Sequence, residues 1–557
     1  IAEGAKWQQH WSFEKPVKRD LPSVTQTEWP RNEIDHFVLH RIEEAGLEPS
    51  SPAERETLLR RVTLDLTGLP PTLAELDAFL ADETDTAFEK VVDRLMKSPR
   101  FAERMTWQWL EAARYADTDG YQNDGPRDMW RWRDWVIEAY RSNLPFDQFT
   151  VEQLAGDLLP DPTEEQIIAT GFNRNHRYNS ESGLVLEEFL LENAVDRVDT
   201  TSTVWMGLTV ACARCHDHKF DPISQKEYYQ LISFFDKVPE SGRAIKMGNS
   251  EPWIKAPTSS QKATLEEKIY ELQKAEAKLK ALNLEIRKAL AEWESKEPTV
   301  DQVFLSDSLT DHFGTDLAIV TDGQNPKSLG KKVKGISANE RFSVAFRMTP
   351  ETVGEGAVLS NEIPGTTRKG FLVWFHDGHL HFSIISRWIA GVATLQTVRT
   401  FPAQREVHIT LTNDGTQRAG GMQILVNGKP VETKVLHNTN SNQMGEDSGG
   451  TLYAGGSNHV AGWRGELRDL RFYAGKTLEE SEAAMLADRT TISQILDIPV
   501  GERSEIQQRK IEHYFLSEAT LPYLSKPFAD LVKRKKELIA YEDSLPTTMV
   551  MAEAENP

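Results

Sequence analysis

Two cysteines and the histidine behind them are the residues of this chain whose types and spacing most directly suggest chemistry. Cys212 and Cys215 are the only cysteines among 557 residues, and His216 follows the second directly. Thiols at this spacing can each add across one vinyl group of a single porphyrin, and the next side chain can then reach the iron through an imidazole nitrogen. The pattern C-x-x-C-H therefore predicts covalent haem c, with His216 as the proximal iron ligand.

Three other interpretations of the cysteine pair stay open. A thioredoxin-like redox site has the same C-x-x-C spacing, but it needs a βαβ context, and the flanking sequence here looks helical. A zinc site would need a second cysteine pair, which the sequence lacks. The two thiols can also be buried side chains without chemistry.

The residue opposite His216 on the iron is the next question. His176 is the first candidate for the distal ligand, because it lies in the same helical region. His218 is too close in sequence to reach the other porphyrin face, and Met206 belongs to an apolar stripe that favours a core position. An ordinary hydrogen-bonded role is the alternative for His176. The ligand pair matters because it sets the iron's potential or leaves a position open to small molecules.

Arginines and aspartates near the motif suggest two further contacts. Arg214 is a candidate partner for a haem propionate through bidentate hydrogen bonds, and a surface salt bridge is the alternative. The carboxylates of Asp117, Asp119 and Asp124 surround a turn-forming glycine, an arrangement that suits a hard cation such as calcium. The bidentate glutamate of an EF-hand is missing from its expected place, so a plain polar loop is the alternative.

Composition and charge limit the classes of protein. A chain of 557 residues is too long for one core and predicts about three or four domains. The formal net charge of −21 disfavours nucleic acid and anionic lipid as partners. No apolar run approaches the ~20 residues that span a bilayer. Haem is attached to this motif outside the cytoplasm, so we expect an exported chain, periplasmic or extracellular, from which a signal peptide has been removed.

Hydrophobic periodicity divides the chain into four segments. Residues 1–255 have mostly helical spacing and are predicted to form the mainly α haem-binding domain. Residues 256–298 carry a heptad repeat of apolar residues, which predicts one long stalk helix. Residues 477–557 are predicted to return along this helix and pair with it as an antiparallel coiled coil. The basic run 533–536 is interpreted as a solvated helix face.

The segment 299–476 alternates with period two and predicts an inserted all-β sandwich of the concanavalin A-like jelly-roll type. Asp377-Gly378 and Asn427-Gly428 are typical hairpin turns between its strands. Tryptophans at 374, 388 and 463 are candidate sugar platforms. Histidines at 376, 379 and 381 form a cluster across one hairpin, where a solvated strand face is favoured over a metal site.

Six sequence words resemble a known family. The chain is similar to the cytochrome-c-like domain of large secreted planctomycete and verrucomicrobial proteins, and its β segment resembles the laminin-G or concanavalin A-like insert often found in them. The resemblance covers about residues 7–255 and implies export and haem, without naming a reaction. The words are GLTVACARCHDHKFDPI at 207–223, LDLTGLPP at 64–71, ARYADTDGY at 113–121, QLAGD at 153–157, NRNH at 173–176 and VDRV at 195–198.

These patterns support three hypotheses about function. The leading one is an exported c-type cytochrome that passes electrons to a redox partner protein or domain, with an oxidoreductase acting on carbohydrates as its extension. The second is an extracellular scaffold that binds a glycan, such as a polysaccharide, or a protein, with haem as a structural element. The third is a peroxidase-like enzyme with His176 as distal acid and base.

Overall fold

The computed structural model describes residues 10–181, 183–245, 248–298, 300, 304–313, 318–330, 333, 335–337, 339–362, 369–387, 391–438, 450–457 and 459–554. The chain divides into two compact units, Ile1–Met105 and Thr106–Pro557. No helix among the described residues is both long and apolar enough to cross a membrane.

The first unit is helical, and local signals explain where its helices begin and end. Asn32 and Thr72 form capping boxes with acidic residues three positions later, and Gly68 ends the second helix in the left-handed region at φ 71°. Its small core contains Leu59 and Phe79. The helices are α1 (Glu33–Glu44), α2 (Arg55–Thr67), α3 (Leu73–Ala81) and α4 (Ala87–Met96), and α5 (Pro99–Ala112) runs across the division.

The second unit begins with a helical region that has two cores. One surrounds Trp132 and Phe172, and the other surrounds Val198 and Tyr228. The mainly helical N-terminal region expected from the sequence is therefore present. Its helices are α6 (Trp130–Arg141), α7 (Phe146–Ala155), α8 (Glu164–Ala169), α9 (Leu186–Thr201) and α10 (Gln225–Ile232).

A two-stranded sheet joins this helical region to the end of the chain. Strand β1 (Trp253–Lys255) pairs antiparallel with β16 (Thr547–Met549). Met549 completes the core around Trp132, and Met551 enters the core around Val198. Everything between β1 and β16 is therefore an insertion into the helical region.

Two long helices follow β1 and precede β16. The helix α11 (Ser259–Ala281) packs against α16 (Pro522–Ser544), and the start of α11 meets the end of α16, because Tyr541 donates to the carbonyl oxygen of Gln261. The segment expected to be one stalk helix forms two, since α12 (Asn283–Glu294) begins after a break at Leu282. The break falls beside Asn283, whose side chain favours helix ends over interiors.

The remaining helices pack with α12 and α16 around a separate core. That core contains Ile286, Leu290, Ile511 and Leu524. Its helices are α13 (Glu480–Ala487), α14 (Ile492–Leu496) and α15 (Glu505–Tyr514).

An antiparallel β-sandwich fills the insertion, as the alternation predicted. The first sheet has the order β12-β11-β10-β5-β15-β2, with β3 also paired to β15, and the second has the order β13-β9-β8-β7-β6-β14-β4. The strands are β2 (Leu309–Phe313), β3 (Ile319–Asp322), β4 (Lys327–Ser328), β5 (Arg341–Pro350), β6 (Gly356–Ser360), β7 (Gly370–His376), β8 (His379–Arg387), β9 (Gly391–Thr397), β10 (Val407–Asp414), β11 (Met422–Val426), β12 (Lys429–Pro430), β13 (Thr433–Asn438), β14 (Tyr453–Ala454) and β15 (Arg464–Ala474).

Alternating residues of the two sheets make the sandwich core. Phe371, Val373 and Phe375 of β7 face the first sheet, so their even-numbered neighbours face away from it. The turn at Asp377-Gly378 has φ values of 48° and 79°, and the turn at Asn427-Gly428 has 50° and 78°. Positive φ at both central positions is the geometry that favours these residue pairs in tight hairpins.

Candidate functional site

The cysteine motif lies on a short 3₁₀ helix, Val210–Arg214, at the surface of the helical region. Val210 and Ala213 are buried in the core around Val198 and anchor the turn. The backbone N–H of Cys215 donates to the carbonyl oxygen of Cys212 at 3.4 Å, which closes the turn. Both thiols are free and exposed. The structure therefore presents both cysteines to solvent, whereas the third alternative had them buried.

His216 is held in one tautomer by the backbone. Its Nδ1 lies 2.7 Å from the carbonyl oxygen of Asp217, and a carbonyl oxygen can only accept. Nδ1 therefore carries a proton, and in the neutral form of this exposed ring the lone pair lies on Nε2. An imidazole that donates from one nitrogen to a backbone carbonyl is the usual arrangement for a metal ligand that binds through the other.

His218 has a structural role in the loop after the motif. Its Nδ1 accepts from the backbone N–H of Asp221 at 2.9 Å, and its own N–H donates to the carbonyl oxygen of Ile223 at 2.8 Å. Its side chain is only 5% exposed. His218 thus shapes the turn that follows His216.

Two exposed aromatic side chains lie near the motif, one in sequence and one in space. Phe220 is 84% exposed four residues after His216. Tyr229, 47% exposed, donates its hydroxyl to the carbonyl oxygen of Arg214 and so lies against the motif. Exposed aromatic rings beside two free thiols and an imidazole with a free lone pair are a donor set that fits haem attachment.

Arg214, the predicted propionate partner, already has an acidic partner. Its guanidinium makes a bidentate ion pair with Glu192, and this hydrogen bonding lowers the pKa of the Glu192 carboxyl. A propionate would have to compete with Glu192 for the same donors.

His176 lies in a fully buried network, and the structure gives both its nitrogens other partners. Nε2 is 3.0 Å from the guanidinium of Arg197, which can only donate, and Nδ1 is 3.0 Å from the carbonyl oxygen of Arg177. Burial and the neighbouring arginines Arg197 and Arg174 lower the pKa of His176 well below its ordinary value. A distal iron ligand needs a free nitrogen, so this geometry does not favour His176 in that role, which stays a prediction.

Three buried arginines surround His176. Arg197 also pairs with Glu240 at 2.9 Å, and Arg174 lies 3.4 Å from the same carboxyl. Arg127 donates to the carbonyl oxygens of His176 and Asn175. Residues of the segments 173–176 and 195–198 thus form a buried hydrogen-bond network inside the helical region. Its arginines donate to backbone carbonyl oxygens of neighbouring segments.

The predicted calcium residues have separate partners. Asp117 accepts from the backbone N–H of Met129 at 2.7 Å, and Asp124 accepts from that of Gly120 at 2.7 Å. Asp119 is buried with one carboxyl oxygen unpartnered, and burial raises its pKa to about 7. Within the described ranges, no group of three or more His, Cys, Asp or Glu side chains is placed to hold a metal. Calcium at this loop stays a prediction.

The outer face of the second sheet carries a row of aromatic and polar side chains, in which His381 is 2% exposed and Trp374 and Gln396 are half-buried. Trp374 of β7, His381 of β8 and Gln396 of β9 are cross-strand neighbours in one row. The rings of Trp374 and His381 stack with centroids 4.2 Å apart, and burial lowers the pKa of His381 to about 4. We call these three residues, with His376 and His379 in the adjacent row, the aromatic row.

Hydroxyl groups support the aromatic row from the neighbouring positions. The indole N–H of Trp374 donates to Ser383 at 3.3 Å, and Ser383 lies 2.9 Å from the hydroxyl of Thr394. Sequence analysis did not single out Ser383, Thr394 or Gln396, although the alternation of β8 and β9 places them on this face. Trp463 is no sugar platform, because it is 1% exposed in the sandwich core, and Trp388 lies outside the described residues.

The chain thus consists of a helical region and a lectin-like β-sandwich, and each resembles a known domain family. Residues 33–240 match the family model PSCyt2, described as a protein of unknown function (DUF1549). Residues 322–484 match the Laminin_G_3 model of the concanavalin A-like lectin/glucanases superfamily. The chain therefore carries a DUF1549 domain followed by a concanavalin A-like domain. No curated protein matches the chain.

Solved structures resemble about a third of the chain. A heptameric SAP-like pentraxin from Limulus polyphemus is 17% identical over 31% of this chain and 81% of its own, with a TM-score of 0.24. The CBM40 of the Ruminococcus gnavus IT-sialidase, bound to α2,3-sialyllactose, is 11% identical over 32% of this chain and 100% of its own, with a TM-score of 0.26. At such low TM-scores, no statement about this chain's function rests on either structure.

Proposed function

We propose that this chain is an exported, periplasmic or extracellular carbohydrate-binding protein whose binding surface is the aromatic row. The stacking of Trp374 on His381 carries the proposal. Trp374 is half-buried, so its indole is fixed while part of the ring still reaches solvent. A fixed aromatic ring beside the amide of Gln396 and the exposed imidazole of His376 is a composition that suits an amphipathic ligand such as a sugar.

The polar groups of the row provide direction and specificity. Gln396 can donate and accept through its half-exposed amide, and His376 is exposed at the adjacent position. His381 stays neutral at ordinary pH because its pKa is lowered to about 4, so the stack requires no counter-charge. A polysaccharide or glycan chain lying across β7, β8 and β9 would contact the indole of Trp374 on β7 and the amide of Gln396 on β9.

Binding of the full chain to a glycan array tests this proposal. We expect Trp374→Ala to lose most binding, with Trp374→Phe intermediate because a smaller ring still stacks. Trp107→Ala removes a tryptophan that is 53% exposed and lies outside the sandwich, and it is the matched control. Equal glycan binding by Trp374→Ala and Trp107→Ala would overturn the proposal.

A second function, haem attachment, is favoured by the His216 tautomer. Cys212 and Cys215 would each add a thiol across one vinyl group with nothing leaving, and Nε2 of His216 would face the iron. Bound haem would supply one-electron transfer to a redox partner protein or domain. The predicted division into residues 1–255, 256–298, 299–476 and 477–557 belongs to this proposal, with the first segment as the haem domain.

Intact-mass measurement of protein matured in a host with a cytochrome c assembly system tests the haem proposal. We expect the polypeptide mass plus one haem, and the bare polypeptide mass for the Cys212→Ser/Cys215→Ser double variant. A bare mass for the unsubstituted chain would overturn the haem proposal, while the glycan proposal would stand, because it uses no residue of the motif.

A further inference from the structure

A cavity lies where loops of the helical region meet loops of the sandwich. It has a volume of about 450 Å³, within the range of small-ligand pockets. We call it the junction cleft. The helical region contributes Asn249 and Trp253, the last strand contributes Thr547, and the sandwich contributes Asn339 and the turn from Gly415 to Arg418.

Polar contacts hold the two walls of the junction cleft together. Glu251 lies 3.4 Å from the guanidinium of Arg418 and accepts from the amide of Asn438 at 3.5 Å. Asn249 donates to the hydroxyl of Thr547 at 2.9 Å and to the carbonyl oxygen of Asp128 at 3.0 Å. The cleft is therefore fixed from the helical side and from the sandwich side.

One buried acceptor in the cleft wall has no donor. Gln417 is only 5% exposed, and its amide oxygen has no hydrogen-bond partner among the residues that the structure describes. Its backbone lies in the left-handed region at φ 63°, within the turn that forms this wall. Buried polar atoms are nearly always hydrogen-bonded in folded proteins, so this amide oxygen is an acceptor that a donor entering the cleft can satisfy.

The charge and composition of the cleft specify the ligand. Arg418 and Glu251 neutralise each other, and the other polar lining groups are amides and hydroxyls. Trp253 is half-buried and supplies an apolar ring. We propose that the junction cleft binds a neutral saccharide of one or two units, one hydroxyl of which donates to Gln417. This site shares no residue with the aromatic row and does not depend on it.

Calorimetric titration of the full chain with neutral disaccharides (cellobiose, maltose and lactose) tests the proposal, with a crystal soak in any disaccharide that binds. We expect density in the junction cleft and roughly fivefold to tenfold weaker binding for Gln417→Leu, because that variant keeps the size but loses the acceptor. Gln417→Glu keeps an acceptor at the same place and should retain binding. Gln423→Leu changes an exposed glutamine of β11 and is the matched control.

Each outcome decides the matter. Absence of heat with all three disaccharides, or equal affinity of Gln417→Leu and Gln423→Leu, overturns the proposal. Density only on the aromatic row, abolished by Trp374→Ala, also overturns it while leaving the first carbohydrate site in place. Where Gln417→Leu also lowers the melting temperature, the crystal soak of the unsubstituted chain decides: a saccharide hydroxyl on Gln417 supports the proposal, and density elsewhere overturns it.

Discussion

Arg197 and Glu240 form an ion pair at 2.9 Å with both side chains almost completely removed from water, at 1% and 3% exposure. The same guanidinium donates to the carbonyl oxygens of Asn173 and Phe235, so one side chain connects α9, the segment before His176 and the segment after α10. Burial of a charge is tolerated only when its partners remain, so this pair fixes the interior of the helical region.

Replacing Arg197 is therefore expected to destabilise the folded protein strongly. Arg197→Met takes from Glu240 its nearer arginine, leaving it Arg174 and the hydroxyl of Tyr178, and leaves two buried carbonyls without their donor. We therefore expect a loss of about 3–5 kcal/mol in the free energy of unfolding. Urea unfolding followed by circular dichroism measures it. Arg177→Met, at an exposed position nearby, should change that energy by no more than about 0.5 kcal/mol. Similar values for both variants would contradict the structural role.

The two histidines after the cysteines should respond differently to substitution. His216 presents Nε2 to solvent, whereas Nδ1 of His218 accepts from the backbone of its own loop. In matured protein we expect His216→Ala to lose the haem absorption of the unsubstituted chain, and His218→Ala to keep it. Visible spectra of the purified variants at equal concentration make the comparison. An unchanged spectrum for His216→Ala would remove it as an iron ligand.

Asp119 should make the protein less stable as the pH rises. Burial raises its pKa to about 7 from an ordinary 3.8, and Arg127 only partly opposes this. Below pH 4 both folded and unfolded chains hold the proton, but between pH 4 and 7 the unfolded chain releases it first, which lowers the free energy of unfolding. We expect Asp119→Asn to be more stable than the unsubstituted chain by about 1–3 kcal/mol at pH 8 and equal at pH 4.

The predicted calcium site gives Asp119 a second test. If the loop binds calcium, millimolar CaCl₂ at pH 8 should raise the melting temperature of the unsubstituted chain and leave that of Asp119→Asn unchanged, because the charged carboxyl would gain its missing partner. Asp124→Asn is the contrasting variant, since hydrogen bonds to Thr118 and Gly120 lower the pKa of Asp124. Its stability should fall, rather than rise, at neutral pH.

His408 should make the sandwich sensitive to acid. Burial, with Arg347 nearby, lowers its pKa to about 3 from an ordinary 6.5; Arg471 and Lys510 act in the same direction and Asp469 opposes them. As the pH falls below 6.5, the unfolded chain takes up a proton that the folded chain refuses, so the free energy of unfolding drops until about pH 3. At pH 5 this titration of His408 lowers the free energy of unfolding by about 2 kcal/mol.

Unfolding of His408→Gln at pH 7.5 and 5 checks this expectation. The variant should lose less stability than the unsubstituted chain between the two pH values, whatever its stability at pH 7.5. His459→Gln, at an exposed position, controls for the removal of a histidine. Equal pH dependence in all three proteins would show that His408 is not responsible.

Local patterns predicted the sandwich, because a strand alternates its faces whatever lies around it. The alternation predicted that Phe371, Val373 and Phe375 face the core, and the Asp377-Gly378 pair predicted the turn; the structure confirms both. The same rule placed Trp374 on the outer face, but it could not show that Gln396 lies in the same row. That relationship depends on the register between β8 and β9, which local spacing does not encode.

Polar residues in the helical region were harder to interpret from sequence. The spacing of Cys212, Cys215 and His216 is a local chemical signal, and the structure places all three at the surface. His176 looks functional in sequence, yet it is buried and hydrogen-bonded to Arg197. Burial is set by contacts between distant segments, so residue type alone could not separate the two cases.

The pairing of β1 with β16 constrains how the protein is made. Met551 donates its N–H to the hydroxyl of Thr170, a residue synthesised 381 positions earlier, and its side chain enters the core beneath the cysteine turn. During synthesis, the core around Val198 cannot be completed until the entire intervening insertion has been made, because Met551 is part of it. Cys212 and Cys215 are therefore synthesised well before the residues that complete the core beneath them.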